Sequence, residues 1–293
     1  RTPDAHFFTE ARYNGTKTVA ITPDYSEVAK LTDHWLHPKQ GTDAALAFAF
    51  GHVILREFHV DNPSHYFTDY CRQYSDMPLL VRLEKRADGR LVPERYLRAA
   101  DLGGLGEANN PEWKTIALDS ETNQLVSPLG SIGYRWGEKG KWNIQAREGS
   151  ADREVKLQLS LIGEDVAEVA FPYFGGQTHD HFQHVAGDDV QLRRVPVRSI
   201  TLADGSTVKV ATVFDLSAAN LAIDRGLGGA NVAKDYDDAD TPGTPAWQEL
   251  IIGVSREKAI QVAREFADNA DKTKGRSMII VGAAMNHWFH NDM

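Results

Sequence analysis

The sequence of 293 residues is poor in cysteine, and Cys71 is the only one. A single thiol excludes a disulfide within the chain and suits a reducing compartment. It also excludes an iron–sulfur cluster held by this chain alone, because such clusters usually need about four thiolates. Long apolar runs are missing as well: none approaches the roughly 20 residues that a membrane-spanning helix requires.

Positive charge is also scarce. The 32 Lys and Arg against 41 Asp and Glu give a formal net charge of −9, and Lys and Arg never occur in runs longer than a pair. An acidic chain of this kind has no overall field that attracts nucleic acid or an anionic membrane surface. The glycine signatures G-x-G-x-x-G and the P-loop are absent too, so an ordinary nicotinamide or ATP site is not expected.

The residues that are present are typical of a globular protein, with 42% hydrophobic and 25% charged side chains. The length is compatible with one large domain or two smaller ones. The chain opens on Arg-Thr-Pro-Asp instead of Met and stops just after a strand-like run. Because a domain seldom ends where its next element should begin, we expect an internal piece of a longer protein.

Hydrophobic patterning predicts α/β structure at the beginning of the chain. Residues 16–22, TKTVAIT, form a β-branched run typical of a buried strand, and residues 24–36 are expected to hold a short helix or turn. In TDAALAFAFGHVILREF the apolar residues recur at helical spacing. Thr42 or Asp43 is the expected N-cap of this helix.

The pattern changes in the middle and returns at the end. Between about 78 and 215 the sequence is strand-like, irregular and rich in glycine, and Ala203-Asp204-Gly205-Ser206 reads as a hairpin turn. Ser255 is expected to cap the helix SREKAIQVAREFADNA. Residues 277–281, SMIIV, are expected to form a second buried strand. The predicted fold class is α/β, with Rossmann-like open-sheet portions flanking a β-rich irregular insertion.

Two predicted strands lead into polar loops, which indicates a ligand cleft. VAIT runs into Pro-Asp-Tyr-Ser, and MIIV runs into Gly-Ala-Ala-Met-Asn-His. In open α/β sheets, ligands bind beyond the carboxyl ends of the strands. Gln40-Gly41-Thr42-Asp43 precedes a helix whose N-terminus favours an anion, although helix capping alone would also explain these residues.

Other sites in the sequence are weaker. His179, His181 and His184 in QTHDHFQH could ligate zinc. They lie in the irregular block without a matching carboxylate motif, so we interpret them as part of a solvated loop.

No nucleophile and base stand out either. There is no G-x-S-x-G elbow, and Cys71 is interpreted as a packed thiol. Asp24 and Asp43 could form a catalytic pair, although turn chemistry and helix capping explain them as well. The residues alone therefore predict an α/β ligand-binding piece without a self-contained catalytic set.

Longer motifs occur in a fixed order along the whole chain. VAITPDYSEVAKLTDHWLHPKQGTDAALAFAFGHVI occupies 19–54, and TPAWQELIIGVSREKAIQVAREFA occupies 244–267. With these two stretches the chain resembles the molybdopterin oxidoreductase (dimethyl sulfoxide reductase) superfamily. NPEWKTIAL, GSIGYRWGEKGKWN, FPYFGG and NADKTKGRSMIIVGAAMNHWFHNDM are more specific. They resemble the catalytic alpha subunits of membrane-bound respiratory nitrate reductases.

The resemblance implies a bis(molybdopterin guanine dinucleotide) molybdenum cofactor in the cleft. It implies that one loop approaches a guanosine end of the cofactor: Thr22, Pro23, Asp24, Tyr25 and Ser26. It implies that a second loop lies next to the first at this guanosine end: Gln40, Gly41, Thr42 and Asp43. Within this loop, Asp43 is implied to accept hydrogen bonds from guanine. It implies that a third loop contacts the pterin side: Gly282, Asn286 and His287.

The change of pattern divides the chain into three parts, and the resemblance implies a cofactor-binding role for the first and the last. The first is an α/β cofactor-binding segment at 1–77, and the second is a β-rich insertion or subdomain at 78–234. The third is an α/β segment at 235–293 that returns to the cofactor cleft.

For the intact subunit, the resemblance implies reduction of nitrate to nitrite with electrons from quinol. The implied partners are an iron–sulfur beta subunit and a membrane-bound haem gamma subunit, at the cytoplasmic face of the bacterial plasma membrane. The molybdenum ligand and a 4Fe-4S cluster motif are implied to lie upstream of Arg1. We therefore expect no catalytic residue and no metal ligand in this chain, which should be inactive alone. The alternative is a non-catalytic α/β binding or interaction module.

Overall fold

The computed structural model describes residues 2–105, 110–128, 153–172 and 190–282, which form a mixed α/β structure as predicted. The helices are α1 Thr2–Tyr13, α2 Asp43–Leu55, α3 His65–Tyr74, α4 Val213–Asn220, α5 Pro245–Ile252 and α6 Arg256–Thr273. The strands are β1 Val19–Ile21, β2 His34–Leu36, β3 Leu80–Lys85, β4 Leu91–Tyr96, β5 Ala117–Leu118, β6 Leu125–Val126, β7 Asp165–Pro172, β8 Val190–Thr201 and β9 Thr207–Thr212. A π-helical turn, Arg56–Asp61, continues α2, and 3-10 turns lie at Ala29–Leu31 and Ala99–Leu102.

β1 and β2 form a two-stranded parallel sheet, in which Val19 pairs with His34 and Ile21 with Leu36. Helices α2, α5 and α6 pack against one another beside it. The shared core takes buried residues from the sheet and from all three helices: Leu36, Leu46, Ile252 and Val262. Because parallel strands end at the same edge, the loops after β1 and β2 leave the sheet side by side.

Five strands, β3, β4, β7, β8 and β9, close into a barrel. All its pairings are antiparallel except that of β4 with β7, which meet at Leu91 and Val169. β8 and β9 are joined by the predicted hairpin, with Thr201 opposite Thr207. Apolar side chains fill the barrel, among them Val81, Leu83, Val169, Phe171, Val195 and Val197. The barrel strands lie within the range predicted to be a β-rich insertion.

A buried arginine joins the barrel to α4. Arg193 of β8 is 2% exposed. Its guanidinium donates to the carbonyl of Ala219 at 2.5 Å, and also to the carbonyl of Asn220 and the side chain of Gln191. These two carbonyls lie at the C-terminal end of α4, where the helix dipole favours a cation. Burial lowers the pKa of Arg193 to about 10, so the group stays charged at neutral pH.

The helix predictions are confirmed for α2 and α6, and the Ser255 hydroxyl accepts the N–H of Lys258 at 3.3 Å. The prediction for residues 24–36 is wrong at its end, because His34–Leu36 forms strand β2. Its partner β1 is about a dozen residues earlier in the chain. A local pattern does not reveal such a pairing.

The prediction of a buried strand at 277–281 is also wrong. No residue of this range belongs to a strand, and Met278, Ile279 and Ile280 are 77%, 68% and 78% exposed. An apolar run becomes a buried strand only when neighbouring elements cover both of its faces. None of the elements in the described ranges does so here.

We expect Gly275→Ala to lower the free energy of unfolding by about 2 kcal/mol, because alanine is strained by roughly 1–2 kcal/mol at positive φ and must also displace a neighbour. Gly275 directly follows Lys274, the C-cap of α6, with φ +103°, and an added Cβ would lie 2.6 Å from the Tyr66 hydroxyl. Urea unfolding measures the change. Gly89→Ala is the control, since Gly89 has φ +87° with no neighbour within 4 Å of an added Cβ. Equal losses in the two variants would show that the contact with Tyr66 is unimportant.

Candidate functional site

The loops 22–26 and 37–43 meet at the carboxyl edge of the β1–β2 sheet. The N–H of Thr22, one residue beyond the end of β1, donates to the carbonyl of Leu36 at 3.0 Å. Two of the three predicted loops are therefore neighbours. The reason lies in the parallel pairing of their strands, which places both loops at one edge.

Trp35 of β2 contacts both loops. Its indole N–H donates to the carbonyl of Thr22 at 2.9 Å. Its ring lies 5.0 Å from the ring of Tyr25 and 5.1 Å from that of His37, measured between centroids. Sequence reasoning missed Trp35 and His37 as site residues. The available signal was the pair Trp35-Leu36: adjacent strand residues face opposite sides, and Leu36 faces the core.

The start of α2 carries no side-chain cap. The hydroxyl of Thr42 donates to the carbonyl of Lys39 at 2.7 Å instead of accepting a helix N–H. The prediction of Thr42 as the N-cap residue is confirmed in position, but its side chain does not make the capping bond. An uncapped first turn keeps N–H groups and the positive end of the helix dipole available to a ligand.

Two features keep the loop before α2 accessible to a ligand and fixed in position. Gly41 has φ +74°, and among the described residues no neighbour lies within 4 Å of an added Cβ. The N–H of Lys39 donates to the carbonyl of Ile252 at 3.1 Å, which ties the loop to the end of α5. Backbone can thus approach a ligand closely at Gly41, while the loop stays anchored to the helical layer.

Asp43 lies in the first turn of α2 and is half-buried. Its carboxylate makes no hydrogen bond or ion pair with any residue in the described ranges. A carboxylate accepts hydrogen bonds only. Asp43 is thus free to accept from a ligand that presents two N–H groups.

The predicted site residues divide into two groups. Nine of them lie on the two neighbouring loops: Thr22, Pro23, Asp24, Tyr25, Ser26, Gln40, Gly41, Thr42 and Asp43. Gly282 lies beyond the C-terminal end of α6 and is exposed. Asn286 and His287 lie outside the described residues.

The described residues give little support to a reactive cysteine or a metal site, the other kinds of site that the sequence suggested. Burial raises the pKa of the Cys71 thiol, which disfavours the reactive thiolate and fits the predicted packed role. No three His, Cys, Asp or Glu side chains within residues 2–105, 110–128, 153–172 and 190–282 could together hold a metal ion. His179, His181 and His184 lie outside these ranges.

No helix in the described part of the chain is both long and apolar enough to cross a membrane.

Comparison with known proteins gives a consistent family. The family model for molybdopterin oxidoreductases matches residues 2–293. The chain is 62% identical to the respiratory nitrate reductase 1 alpha chain of Escherichia coli (strain K12), with 100% of this chain and 24% of that protein aligned. It is 48% identical to the respiratory nitrate reductase alpha chain of a Bradyrhizobium species, over 97% of this chain and 27% of that protein.

A more distant relative acts on a different oxyanion by name. The perchlorate reductase subunit alpha of Dechloromonas aromatica (strain RCB) is 28% identical, over 100% of this chain and 24% of that protein. The chain thus spans about a quarter of the length of these curated relatives. These similarities confirm the resemblance predicted from the sequence motifs.

Proposed function

Since the chain belongs to the molybdopterin oxidoreductase family, we propose that it is part of the catalytic alpha subunit of a respiratory nitrate reductase. In this proposal it contributes one wall of the cleft that holds bis(molybdopterin guanine dinucleotide) molybdenum. The observation that carries the proposal is the meeting of the loops 22–26 and 37–43 at one sheet edge, beside the uncapped start of α2. The two strands β1 and β2 would then be part of a larger Rossmann-like open sheet.

The donors and acceptors on the two loops suit a guanosine end of such a cofactor. Asp43 has an unpaired carboxylate among the described residues, and guanine presents an amino group and a ring N–H on one edge. The carboxylate would accept from both, a charge-assisted pairing. The free N–H groups at the start of α2 would face an anionic part of the cofactor.

The remaining predicted residues complete this assignment. Thr22, Pro23, Asp24, Tyr25 and Ser26 would line the guanosine end from one side, and Gln40, Gly41 and Thr42 from the other. We assign Gly282, Asn286 and His287 to the pterin side on family resemblance alone. When bound, the molybdenum cofactor would supply the two-electron chemistry that reduces nitrate to nitrite. The role of this chain is to bind and orient that cofactor, and we assign to it no catalytic residue and no metal ligand.

We propose nitrate as the substrate of the intact enzyme because the chain is more similar to nitrate reductase alpha chains than to the perchlorate reductase subunit. Identity to the nitrate reductase alpha chain of Escherichia coli is 62%, against 28% to the perchlorate reductase subunit. We further propose the context of the intact enzyme from the family. It would take electrons from quinol through a 4Fe-4S cluster of the full-length subunit and an iron–sulfur beta subunit. A haem-containing gamma subunit would hold it at the cytoplasmic face of the bacterial plasma membrane.

Asp43→Ala in the full-length subunit tests the guanine contact. We expect weaker cofactor retention, because an unpaired guanine edge costs about 1–3 kcal/mol, which is roughly 5- to 150-fold in the dissociation constant. The measurement is molybdenum and acid-released guanine nucleotide per mole of purified protein after extensive dilution and filtration.

Glu257→Ala is the matched control for Asp43→Ala. Glu257 is an exposed carboxylate in the first turn of α6, so both variants lose a similar favourable interaction with a helix dipole. Only the Asp43 variant should lose cofactor. If it keeps as much guanine nucleotide and molybdenum as the Glu257 variant, the assignment is wrong.

A further inference from the structure

The side chain of Trp35 joins the two loops through different kinds of contact. Its indole N–H makes a directional bond of 2.9 Å to the carbonyl of Thr22 in the first loop. Its ring packs edge-on against Tyr25 of the same loop and, at a tilt, against His37 of the second loop. One rigid side chain thus contacts both loops at once.

The bond to the carbonyl of Thr22 lies at the point where the first loop leaves the sheet. Thr22 makes the last hydrogen bond between the paired strands, through its N–H to Leu36. The next residue, Pro23, has no N–H and restricts the conformation of Thr22. The orientation of the Thr22 carbonyl therefore sets the direction in which residues 23–26 continue. Trp35 is the described side chain that holds this carbonyl.

Apart from its contacts with Trp35, the loop formed by residues 23–26 makes few contacts. Tyr25 is 59% exposed, and residues 23–26 take part in two backbone bonds in the described part of the chain: from the N–H of Ser26 to the carbonyl of Asp24 at 2.8 Å, and from the N–H of Lys30 to the carbonyl of Ser26 at 3.4 Å. A loop with few contacts needs an external anchor to keep one geometry. The contacts of Trp35 to Thr22 and Tyr25 supply that anchor.

We propose that Trp35 is a positioning residue that sets the separation of the loops 22–26 and 37–43, and thereby the fit of a guanosine between them. This inference rests on the function proposed above. Trp35 acts through the carbonyl of Thr22 and the ring of Tyr25. Phenylalanine could keep the ring contacts, but it has no N–H to donate.

Trp35→Phe in the cofactor-loaded, full-length subunit tests the proposal. We expect release of the guanine-nucleotide-bearing cofactor at 25 °C to be about five-fold faster, which corresponds to the loss of one net hydrogen bond. The readout is the fluorescence of oxidised pterin in the filtrate over time, and not enzyme activity. Trp113→Phe is the control, since Trp113 is 76% exposed and lies on neither loop; its release rate should stay unchanged.

Thermal unfolding of the same variants separates positioning from general stability. A purely structural role for Trp35 would lower the melting temperature without changing the release rate well below it, and this outcome would overturn the proposal. Faster release at an unchanged melting temperature supports it.

The Asp43→Ala variant separates this inference from the proposed function. If Asp43→Ala speeds release and Trp35→Phe does not, the positioning role is wrong and the guanine site stands. If neither variant changes release, both proposals are wrong.

Discussion

Replacing Asp215 with alanine is expected to lower the free energy of unfolding by about 3–5 kcal/mol, the usual cost of leaving a buried charge unpaired. Asp215 is fully buried in the first turn of α4. Its carboxylate accepts from the hydroxyl of Ser160 at 2.6 Å, from the N–H of Leu161 at 2.8 Å and from the guanidinium of Arg225 at 2.5 Å. The Arg225 side chain is only 4% exposed, so water cannot replace the lost partner.

Urea unfolding followed by circular dichroism measures this effect, with Asp204→Ala as the control. Asp204 lies in the exposed β8–β9 hairpin, where its carboxylate accepts from the N–H and the hydroxyl of Ser206, so its loss should cost about 1 kcal/mol or less. In the double variant Asp215→Ala with Arg225→Met, part of the loss should be recovered because no buried charge remains. A loss in Asp215→Ala no larger than in the control would contradict this account.

Acidification from pH 6.5 to pH 4 is expected to destabilise the fold by about 3 kcal/mol through His52 alone. His52 is 0% exposed, and burial lowers its pKa from 6.5 to about 4; the hydrogen bond to Leu221 opposes this shift, Arg56 and Arg193 add to it, and Asp238 also opposes it. Its Nδ1 lies 2.6 Å from the carbonyl of Leu221. A carbonyl only accepts, so Nδ1 carries the proton of the neutral ring.

The direction of this change in stability follows from how many protons His52 binds in the folded and in the unfolded protein. Between the folded pKa of about 4 and the unfolded value of roughly 6.5, the unfolded chain binds one more proton at this histidine. Stability is therefore highest above pH 6.5 and falls by up to about 1.4 kcal/mol per pH unit below it. Burial also lowers the pKa of His59 to about 4, which changes stability in the same direction.

Urea titrations of His52→Gln across this pH range provide the measurement. The variant should be less stable at neutral pH because it loses packing, but its stability should fall less steeply on acidification. His65→Gln is the control, because His65 is exposed at the start of α3. Parallel pH profiles for wild type and His52→Gln would show that this histidine does not account for the acid sensitivity.

Local elements were predictable where the signal is contained in a few neighbouring residues. The apolar spacing in α2 and the Ser255 cap of α6 led to helices that the structure contains. Ala203-Asp204-Gly205-Ser206 led to the β8–β9 hairpin. Part of the range 78–215 that was predicted to be strand-like is EVKLQLSLIG at 154–163. Its alternate apolar residues are buried, although no long strand forms there: Val155, Leu157, Leu159 and Leu161.

Long-range pairings could not be predicted in the same way. The barrel closes because β3 pairs with β9 through Leu80 and Thr212, and because β4 meets β7 in parallel. The strands that pair are separated by many residues, so no local pattern specifies which of them meet. For the run 277–281, the local composition led to a wrong prediction. Its apolar residues are typical of a buried strand, but they are exposed in the described structure.

The sequence by itself determined the family of the chain, its main helices and the chemical types available to a cofactor, because motifs and periodicity are local. Only the tertiary structure decided that β1 and β2 are parallel neighbours, which brings the loops 22–26 and 37–43 to one edge. It also decided that Trp35 bonds to Thr22 and that the Thr42 hydroxyl leaves α2 uncapped. The strand pairing and the Trp35–Thr22 bond join residues distant in the chain, so only packing and backbone hydrogen bonding select these partners. The bond from Thr42 to Lys39 is local, but the backbone conformation of the folded loop decides that the hydroxyl donates there.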